Sequence, residues 1–326
     1  MCEFIPMYAA YNSSYRPVSE VSMNRFIRFA LVVVLAFSPA IGFAADPEPG
    51  IKVTRSVVYS TIGKEKLYLD IAVPAGEGPF PCLVMLHGGA WQLGSRGDLS
   101  TGGKDKDGKR LPSWIEIAAE KGYVAASISY RLAPKHKFPA MIEDARGAVR
   151  FLRTNAKDYK IAPDKFGAFG FSAGAHLALL CGMCDKSAGF DVGECLDASG
   201  KVQCVVDFFG PTDLSLYAPS PGIVDGYLIP VFGKEVKTDP TIYKKASPIS
   251  YVTKEAPPTL ILHGTFDLIV PIKHSETLHK SLIDSGVATE IMTIPFGGHG
   301  NWSDREMSKA AAASFKFLDA HLKGKK

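Results

Sequence analysis

Short apolar runs recur along the chain, and amphipathic stretches separate them. Residues 53–60 and 67–73 predict two antiparallel strands, the second with apolar side chains at alternate positions. The later runs are mostly unbroken, which is typical of parallel strands covered on both faces. These runs predict further strands at residues 81–86, 123–130, 165–169, 202–209, 259–263 and 290–294.

The segments between these runs predict helices, at residues 111–121, 139–155, 272–285 and 304–322, with a largely apolar helix beginning at residue 175. Alternating strands and helices predict an α/β fold, with a mostly parallel central sheet and helices on both faces. Ligands of such sheets bind at the carboxyl ends of the strands. Two longer segments, 95–111 and 214–252, follow strands at that end. They are too short for a large cap domain, so we expect them to form the walls of an open cleft.

The N-terminal region has the pattern of a secretory signal. Two arginines follow Met23, and the apolar run 29–37 is too short to span a bilayer. Small residues, including Gly42 and Ala44, then predict cleavage near residue 44. We therefore expect a secreted or periplasmic protein that has no membrane contact after cleavage.

These features divide the chain into three parts, although either Met1 or Met23 can be the true start. The parts are a non-native or disordered extension (1–22), a signal peptide (23–44) and a single folded domain (45–326).

Charge and cysteine content exclude some partners. The 37 basic and 33 acidic residues leave a net charge of only +4, too balanced to indicate nucleic acid as a partner. No cysteine and histidine pairs have metal-ligand spacing, so we expect neither a metal nor a cofactor. Five cysteines follow the expected cleavage point, so at least one is unpaired. Cys184 and Cys195 flank a polar loop and are predicted to form a disulfide, with Cys181 and Cys204 as the other possible partners.

The run Gly170-Phe171-Ser172-Ala173-Gly174 lies between a predicted strand and a predicted helix. A Gly-x-Ser-x-Gly sequence in this position is typical of a nucleophile elbow, a sharp turn that exposes a serine hydroxyl. Glycines are needed two positions to either side because the strand and the helix approach each other closely there. Ser172 is therefore the candidate nucleophile.

A serine nucleophile also requires donors for the oxyanion. The segment 87–91 (HGGAW) comes directly after the apolar run 81–86. Its glycines let backbone N–H groups approach a substrate, so Gly89 and Ala90 are candidate oxyanion donors together with Ala173. We expect His87 to brace this loop rather than to act as the base.

The candidate base is His299, which follows the last predicted strand and lies between glycines. Other histidines fit less well: His176 is expected to pack on the elbow helix, His263 ends a strand, and His274 and His279 lie on a helix.

The candidate acid is Asp267, in the loop after the strand 259–263. Asp213, which follows the preceding predicted strand 202–209, is the rival acid, but we expect it to cap a turn. The other candidate carboxylates, Glu143 and Asp144, are expected to pair with Arg146 or Arg150 on a solvated face.

The order Ser172, Asp267, His299 resembles that of the α/β-hydrolases, and the resemblance covers nearly all of residues 50–322. Four segments resemble the esterase branch related to hormone-sensitive lipase, and two more are similar to the bifunctional feruloyl and acetyl-xylan esterases. The four are 87–91, 130–134, 138–140 and 170–174, and the two are 202–213 and 257–264. The chain departs from the branch at Ala90, where a third glycine is usual, and in having no evident N-terminal cap.

The resemblance implies a serine carboxylesterase that acts through an acyl-enzyme. Its substrates would be short-acyl or feruloyl and acetyl esters of carbohydrate, either small molecules or polysaccharides. A serine peptidase-like acyl hydrolase and a non-catalytic binding protein on the same fold are the alternatives. A long-chain lipase would need an apolar lid, whereas segment 95–111 is polar. The oligomeric state is not predicted.

Overall fold

The computed structural model describes residues 50–218 and 220–324. An eight-stranded sheet runs through this part of the chain in the order β1-β2-β4-β3-β5-β6-β7-β8. Only β2 runs antiparallel to its neighbours, which confirms the predicted mostly parallel sheet. The strands are β1 (Lys52–Ile62), β2 (Glu65–Val73), β3 (Phe80–Leu86), β4 (Val124–Ile128), β5 (Ile161–Phe171), β6 (Cys204–Phe208), β7 (Thr259–Gly264) and β8 (Thr289–Ile294).

Helices cover both faces of the sheet. The α-helices are α1 (Gly97–Ser100), α2 (Trp114–Glu120), α3 (Ala140–Thr154), α4 (Ala173–Met183), α5 (Pro221–Ile223), α6 (Ile229–Phe232), α7 (Pro240–Ala246), α8 (Lys273–Asp284) and α9 (Asp304–Leu318). Side chains of α3, α4 and α8 form one apolar core with the sheet, and those of α2 and α9 form a second. Alternate residues of β3 enter the two cores: Val84 joins the first and Met85 the second. This explains why β3 is an unbroken apolar run.

The predicted signal peptide (23–44) and the predicted extension before it lie outside the described residues. Within residues 50–324, no helix is both long enough and apolar enough to cross a bilayer.

The predicted elements are present, and local interactions explain where their ends shift. Helix α2 begins at Trp114 rather than at residue 111, because Ser113 and Glu116 form a capping box. Strand β5 is longer than predicted and ends at Phe171, directly before the serine. The segment 214–252 contains α5, α6 and α7, which the sequence pattern did not reveal.

The segment 95–111 does not form a cleft wall as predicted. It lies against the antiparallel part of the sheet, where Asp70 of β2 accepts hydrogen bonds from two of its side chains. The Arg96 Nε donates to Asp70 Oδ1 at 2.8 Å, and Ser100 Oγ donates to Asp70 Oδ2 at 2.7 Å. None of its residues lines the small cavity next to Ser172.

The predicted pairing of Glu143 and Asp144 with arginines of their own helix is wrong. Both carboxylates instead bind Arg131, which follows β4, and Asp144 is buried. The Arg131 side chain donates two N–H groups to the Asp144 carboxylate, at 2.7 Å and 2.9 Å. Arg146 and Arg150 are also buried and pair with Asp191 instead.

The predicted disulfide between Cys184 and Cys195 is also wrong, because the cysteines of the described residues are all free thiols. Ion pairs fasten the loop instead. Arg146 and Arg150 each donate to Asp191 at 2.7 Å. Arg146 also donates to the Cys184 carbonyl at 2.8 Å. Buried charge pairing thus holds this loop onto α3 where we expected a covalent bridge.

Candidate active site

Ser172 lies between β5 and α4 with its backbone in the left-handed region, at φ +53°. Such a conformation is strained for a residue with a side chain and is typical of functional sites. The Ser172 N–H donates to the Phe208 carbonyl at 2.8 Å, which ties the turn to the neighbouring strand β6. A Cβ atom on Gly170 would lie 2.4 Å from the backbone of Gly174. The glycines of the elbow are therefore required by close backbone packing.

The structure brings the three predicted side chains into one hydrogen-bonded line. The His299 Nε2 lies 2.9 Å from the Ser172 Oγ, and the His299 Nδ1 lies 2.7 Å from the Asp267 Oδ2. A carboxylate only accepts hydrogen bonds, so the Nδ1–H of His299 donates to Asp267. This leaves Nε2 free to accept the Ser172 hydroxyl proton, the arrangement of a Ser-His-Asp triad.

Asp267 is held as an anion by surrounding donors. Its Oδ1 accepts the N–H groups of Ile269 and Val270, at 2.9 Å and 2.8 Å. Burial of the carboxyl raises its pKa, but the neighbouring His263 and His299 and the Val270 N–H outweigh this and hold the pKa well below its usual range. The His263 Nε2 donates to the Val270 carbonyl at 2.7 Å and lies 3.4 Å from Asp267 Oδ2. His263 therefore lies beside the Asp267 carboxylate and contributes to keeping it ionised.

The rival acid and two of the rival bases have other partners. Asp213 accepts the N–H and the hydroxyl of Ser215 and caps a 3₁₀ turn, as expected. His274 is buried and accepts the N–H groups of Thr212 and Asp213. His279 lies 3.1 Å from the hydroxyl of Thr289. None of these side chains contacts Ser172.

His87 and His176 brace the loop after β3. The His87 ring stacks on Tyr130 at 4.2 Å, and its Nδ1–H donates to the Gly88 carbonyl at 2.8 Å. The Trp91 Nε1–H donates to His176 Nδ1 at 3.2 Å. Burial lowers the pKa of each histidine to about 4, so both are neutral near pH 7. Neither is placed to act as the base.

The segment 87–91, which we call the oxyanion loop, lies directly against the elbow. Gly89 and Ala90 have φ values of +105° and +52°, which turns their backbone sharply. A Cβ on Gly88 would lie 3.2 Å from the Phe171 carbonyl. Neither the Gly89 nor the Ala90 N–H has an acceptor among the residues that the structure describes. Ala173 is the first residue of α4, so its N–H also lacks an intrahelical partner.

Phe209 packs against the candidate base, and sequence reasoning missed it. It follows β6 in the left-handed region at φ +46°, and its ring centroid lies 4.8 Å from that of His299, edge to face. The ring is buried. Phe209 and Phe208 are consecutive aromatic residues, and nothing local in the sequence distinguishes the one that faces His299.

A small cavity of about 30 Å³ opens beside Ser172. About 10–15 Å³ of such volume is enough for one water molecule, so the cavity has room for about two. Its lining is mostly apolar and comes from the elbow, the oxyanion loop, segment 214–252, Pro211 and the loop that carries Asp267. The lining residues are Ala90, Trp91, Ser172, Ala173, Pro211, Tyr217, Ile223, Tyr227, Leu228, Ile269 and Val270. Part of the predicted cleft wall is thus present at residues 214–252.

A larger cavity of about 360 Å³ lies away from the serine, between the β1–β2 hairpin, α3 and the loop around residue 193. Four of its five charged side chains have partners: Arg131 pairs with Glu143 and Asp144, and Arg150 pairs with Asp191. We therefore locate the candidate active site at the smaller cavity. Within the described residues, no group of three or more His, Cys, Asp or Glu side chains could hold a metal ion.

The buried Asp207 of β6 gives the fold a distinct pH dependence. Its Oδ1 accepts the Gly210 N–H at 2.7 Å, while Oδ2 has no hydrogen-bond partner among the described residues. Burial raises the pKa of Asp207 from 3.8 to about 7, although the Gly210 N–H and the nearby His263 oppose the shift. The folded protein therefore holds this proton more tightly than the unfolded chain does. Asp207 consequently destabilises the fold progressively as pH rises from about 4 to about 7.

We expect the Asp207→Asn variant to lose this pH dependence. The free energy of unfolding of Asp207→Asn minus that of the wild type should be about 3 kcal/mol larger at pH 8 than at pH 5, so the variant gains relative stability as pH rises, at 1.36 kcal/mol for each unit of pKa shift. Urea denaturation at the two pH values measures the difference. Asp164→Asn, at an exposed carboxylate, is the matched control and should show no such change. An equal Asp207→Asn effect at both pH values would contradict the prediction.

Comparison with known proteins places the chain in a family. The BD-FAE family model matches residues 69–282, well over half of the sequence. The chain belongs to the BD-FAE family of α/β-hydrolase esterases. This confirms the resemblance and the fold class that the sequence predicted.

Curated relatives of this BD-FAE member have esterase names. Esterase LipQ of Mycobacterium tuberculosis is 32% identical over 243 residues, which are 72% of this chain and 54% of LipQ. Isoprenylcysteine alpha-carbonyl methylesterase ICME of Arabidopsis thaliana is 25% identical over 251 residues, which are 74% of this chain and 55% of ICME. The chain thus spans about half the length of the curated relatives it matches.

Solved structures share the fold of the BD-FAE member. A truncated carbohydrate esterase from gut microbiota has a TM-score of 0.69 at 24% identity, over 83% of this chain and 96% of that structure. The butyrate-bound esterase Est2 of Thermogutta terrifontis has a TM-score of 0.66 at 25% identity, over 85% of this chain and 97% of that structure.

Proposed function

We propose that this protein is a serine carboxylesterase that hydrolyses short-acyl esters of carbohydrate outside the cytoplasm, through an acyl-enzyme intermediate. The observation that carries the proposal is the hydrogen-bonded line from Ser172 through His299 to Asp267. Ser172, at one end of this line, borders the small cavity, which Ala90 and Trp91 of the oxyanion loop also line. Membership of an esterase family supports the reaction class.

In the first half-reaction, the Ser172 Oγ attacks the ester carbonyl while His299 Nε2 takes its proton. Asp267 holds the imidazole in the required tautomer and stabilises the imidazolium that forms. The N–H groups of Gly89, Ala90 and Ala173 donate to the oxyanion, and the loss of one such donor typically costs about 3 kcal/mol of barrier. His299 then protonates the alkoxide as its bond to the carbonyl carbon breaks, which leaves an acyl-Ser172 ester and a free alcohol.

Water completes the cycle in the second half-reaction. His299 Nε2 takes a proton from water as the water oxygen bonds to the acyl carbon. The bond between this carbon and Ser172 Oγ then breaks, and the serine recovers its proton from His299. The carboxylic acid leaves, and the enzyme returns to its starting state.

The small cavity is suited to the acyl group. It borders Ala90 and Ala173 on the oxyanion side but not His299, which protonates the leaving alcohol. The acyl chain therefore points into this cavity, and the alcohol points away from it. At about 30 Å³ the cavity accommodates an acetyl or propionyl group, whereas a feruloyl group is several times larger. This favours acetyl esters over feruloyl esters.

We expect the wild type to hydrolyse p-nitrophenyl acetate with a kcat/KM at least tenfold above that for the octanoate, because the cavity ends after a few atoms. Replacing Ile223, a half-buried lining residue, by alanine should shift the preference toward the butyrate by about tenfold, the low end of the effect of one methylene in an apolar pocket. Stopped assays over the acetate, butyrate and octanoate measure both ratios.

The matched control is Ile283→Ala, at an exposed isoleucine on α8 outside the cavity, which should leave the chain-length profile unchanged. Methyl ferulate and an aminoacyl p-nitroanilide complete the panel. Faster turnover of the anilide than of the acetate would favour a peptidase. A lack of activity on every ester would refute the proposed function.

A further inference from the structure

The three most exposed large apolar side chains in the described part of the chain lie beside the candidate acid and base. Phe296 is 86% exposed, Leu268 is 81% exposed and Phe266 is 64% exposed. Phe266 and Leu268 flank Asp267 in the loop after β7, and Phe296 lies three residues before His299 in the loop after β8. We call these three side chains the rim. Because all three lie on the two loops that carry the candidate acid and base, we treat them as one candidate binding surface.

The two loops that carry the rim are hydrogen-bonded to each other. The exposure of the rim side chains is therefore not the result of loose loop ends. The Phe266 N–H donates to the Gly297 carbonyl at 2.8 Å, and the Phe296 N–H donates to the Thr265 Oγ1 at 2.8 Å. The Phe296 backbone is in the left-handed region at φ +59°, an unusual conformation for a bulky residue. The structure thus holds an aromatic side chain in solvent at a cost in backbone strain.

The reaction direction tells which part of the substrate meets the rim. His299 protonates the leaving alcohol, so the alcohol must lie on the side of the loop that carries His299 and Phe296, to which the Phe266 N–H is hydrogen-bonded. The acyl group occupies the cavity that excludes His299. The rim therefore borders the alcohol component of the ester.

The surroundings of the rim are neutral and polar. Residues 264–271 and 294–303 contain no lysine or arginine, and their one acidic residue, Asp267, is buried beneath the surface. Thr265, Asn301 and Ser303 are exposed nearby in these segments and offer hydroxyl and amide groups. A membrane-binding surface would combine apolar residues with basic ones, which attract anionic lipids. A sugar ring presents an apolar C–H face and neutral hydroxyl edges, which match aromatic rings beside uncharged polar groups.

We propose that Phe266 and Phe296, with Leu268, form a platform on which sugar rings of the alcohol component stack. The inference rests on the proposed function and adds to it the side chains that would bind a neutral sugar of the alcohol component. The platform contributes binding energy remote from the reacting bond. It therefore affects KM for an oligosaccharide ester and has no counterpart for the ester of a small alcohol.

The test compares acetylated xylotetraose with ethyl acetate, whose alcohol is too short to reach the rim. In the Phe266→Leu/Phe296→Leu double variant, which keeps apolar side chains but removes the aromatic faces, KM for acetylated xylotetraose should rise about tenfold with kcat within twofold. The ratio of kcat/KM for acetylated xylotetraose to kcat/KM for ethyl acetate should fall by the same factor. Ile283→Ala, an exposed apolar residue away from the site, should leave this ratio unchanged.

A binding measurement separates the platform from the reaction. In native gels that contain xylan, the wild type should be retarded and the double leucine variant should migrate faster. An unchanged ratio and equal retardation, in a wild type that hydrolyses both esters, would overturn the platform alone. Absence of hydrolysis of both esters by the wild type would overturn the proposed function and the platform with it. Binding of the wild type to phosphatidylcholine vesicles that a Phe266→Ser/Phe296→Ser variant loses, with an unchanged ratio in the double leucine variant, would assign the rim to lipid instead.

Discussion

Replacing Ser172 by alanine should lower kcat for p-nitrophenyl acetate by about 10⁴-fold or more while leaving the fold intact. The loss is large because Ser172 Oγ is the atom that His299 Nε2 contacts, at 2.9 Å, and no other hydroxyl lies in this position. Removal of a nucleophile leaves only the contribution of the oxyanion donors and of substrate binding. Initial rates with p-nitrophenyl acetate, normalised to the amount of folded protein, measure the effect.

The control for this variant is Ser250→Ala, at an exposed serine outside the site, which should retain wild-type activity. The melting temperature of Ser172→Ala should stay within a few degrees of that of the wild type, because alanine fills the same space as the serine carbon atoms. A fluorophosphonate probe should label the wild type and Ser250→Ala but not Ser172→Ala. Retention of more than about 1% of the turnover by Ser172→Ala would contradict the assigned nucleophile.

Much of the fold and the candidate site follows from local sequence patterns. The strands are apolar runs because the sheet is covered on both faces, so their positions can be read directly. The elbow has a local signature, and the strand order then places Ser172, Asp267 and His299 at the same edge of the sheet. The structure brings these three side chains together as predicted. Ser113 and Glu116 likewise have the spacing of a capping box, although the exact start of α2 was missed.

What escaped prediction depends on partners far apart in sequence. Asp144 pairs with Arg131, which follows β4, rather than with an arginine of its own helix α3. Asp191 lies more than 40 residues from Arg146 and replaces the expected disulfide. Phe209 reaches His299 across 90 residues of chain. Charge and aromatic patterns along a chain show that such residues seek partners, but only the packed structure determines which ones they find.

The Gly174→Ala variant should lose stability, which is opposite to the effect expected from helix propensity. Alanine is favoured over glycine in a helix by up to about 1 kcal/mol, and Gly174 is the second residue of α4. A Cβ at this position would lie 2.2 Å from the Leu86 carbonyl oxygen and 2.4 Å from that of His87. These are backbone atoms at the end of β3, and they cannot move without displacing the oxyanion loop. We expect a loss of about 3 kcal/mol or more in the free energy of unfolding, at the upper end of the range for overpacked sites.

The matched control is Gly222→Ala in α5, where a new Cβ would meet no atom within 4 Å and the backbone is already helical. There the propensity effect acts alone, so Gly222→Ala should be neutral or slightly stabilising in urea denaturation. If Gly174→Ala folds at all, its kcat should also fall, because the added methyl group pushes against the loop that carries Gly89 and Ala90. A Gly174→Ala variant as stable and as active as Gly222→Ala would show that the elbow and the oxyanion loop do not depend on this close approach. A loss of both stability and kcat in Gly174→Ala would mean that Gly174 sets the distance between Ser172 and its oxyanion donors. This glycine would then serve the geometry of the reaction as well as the turn.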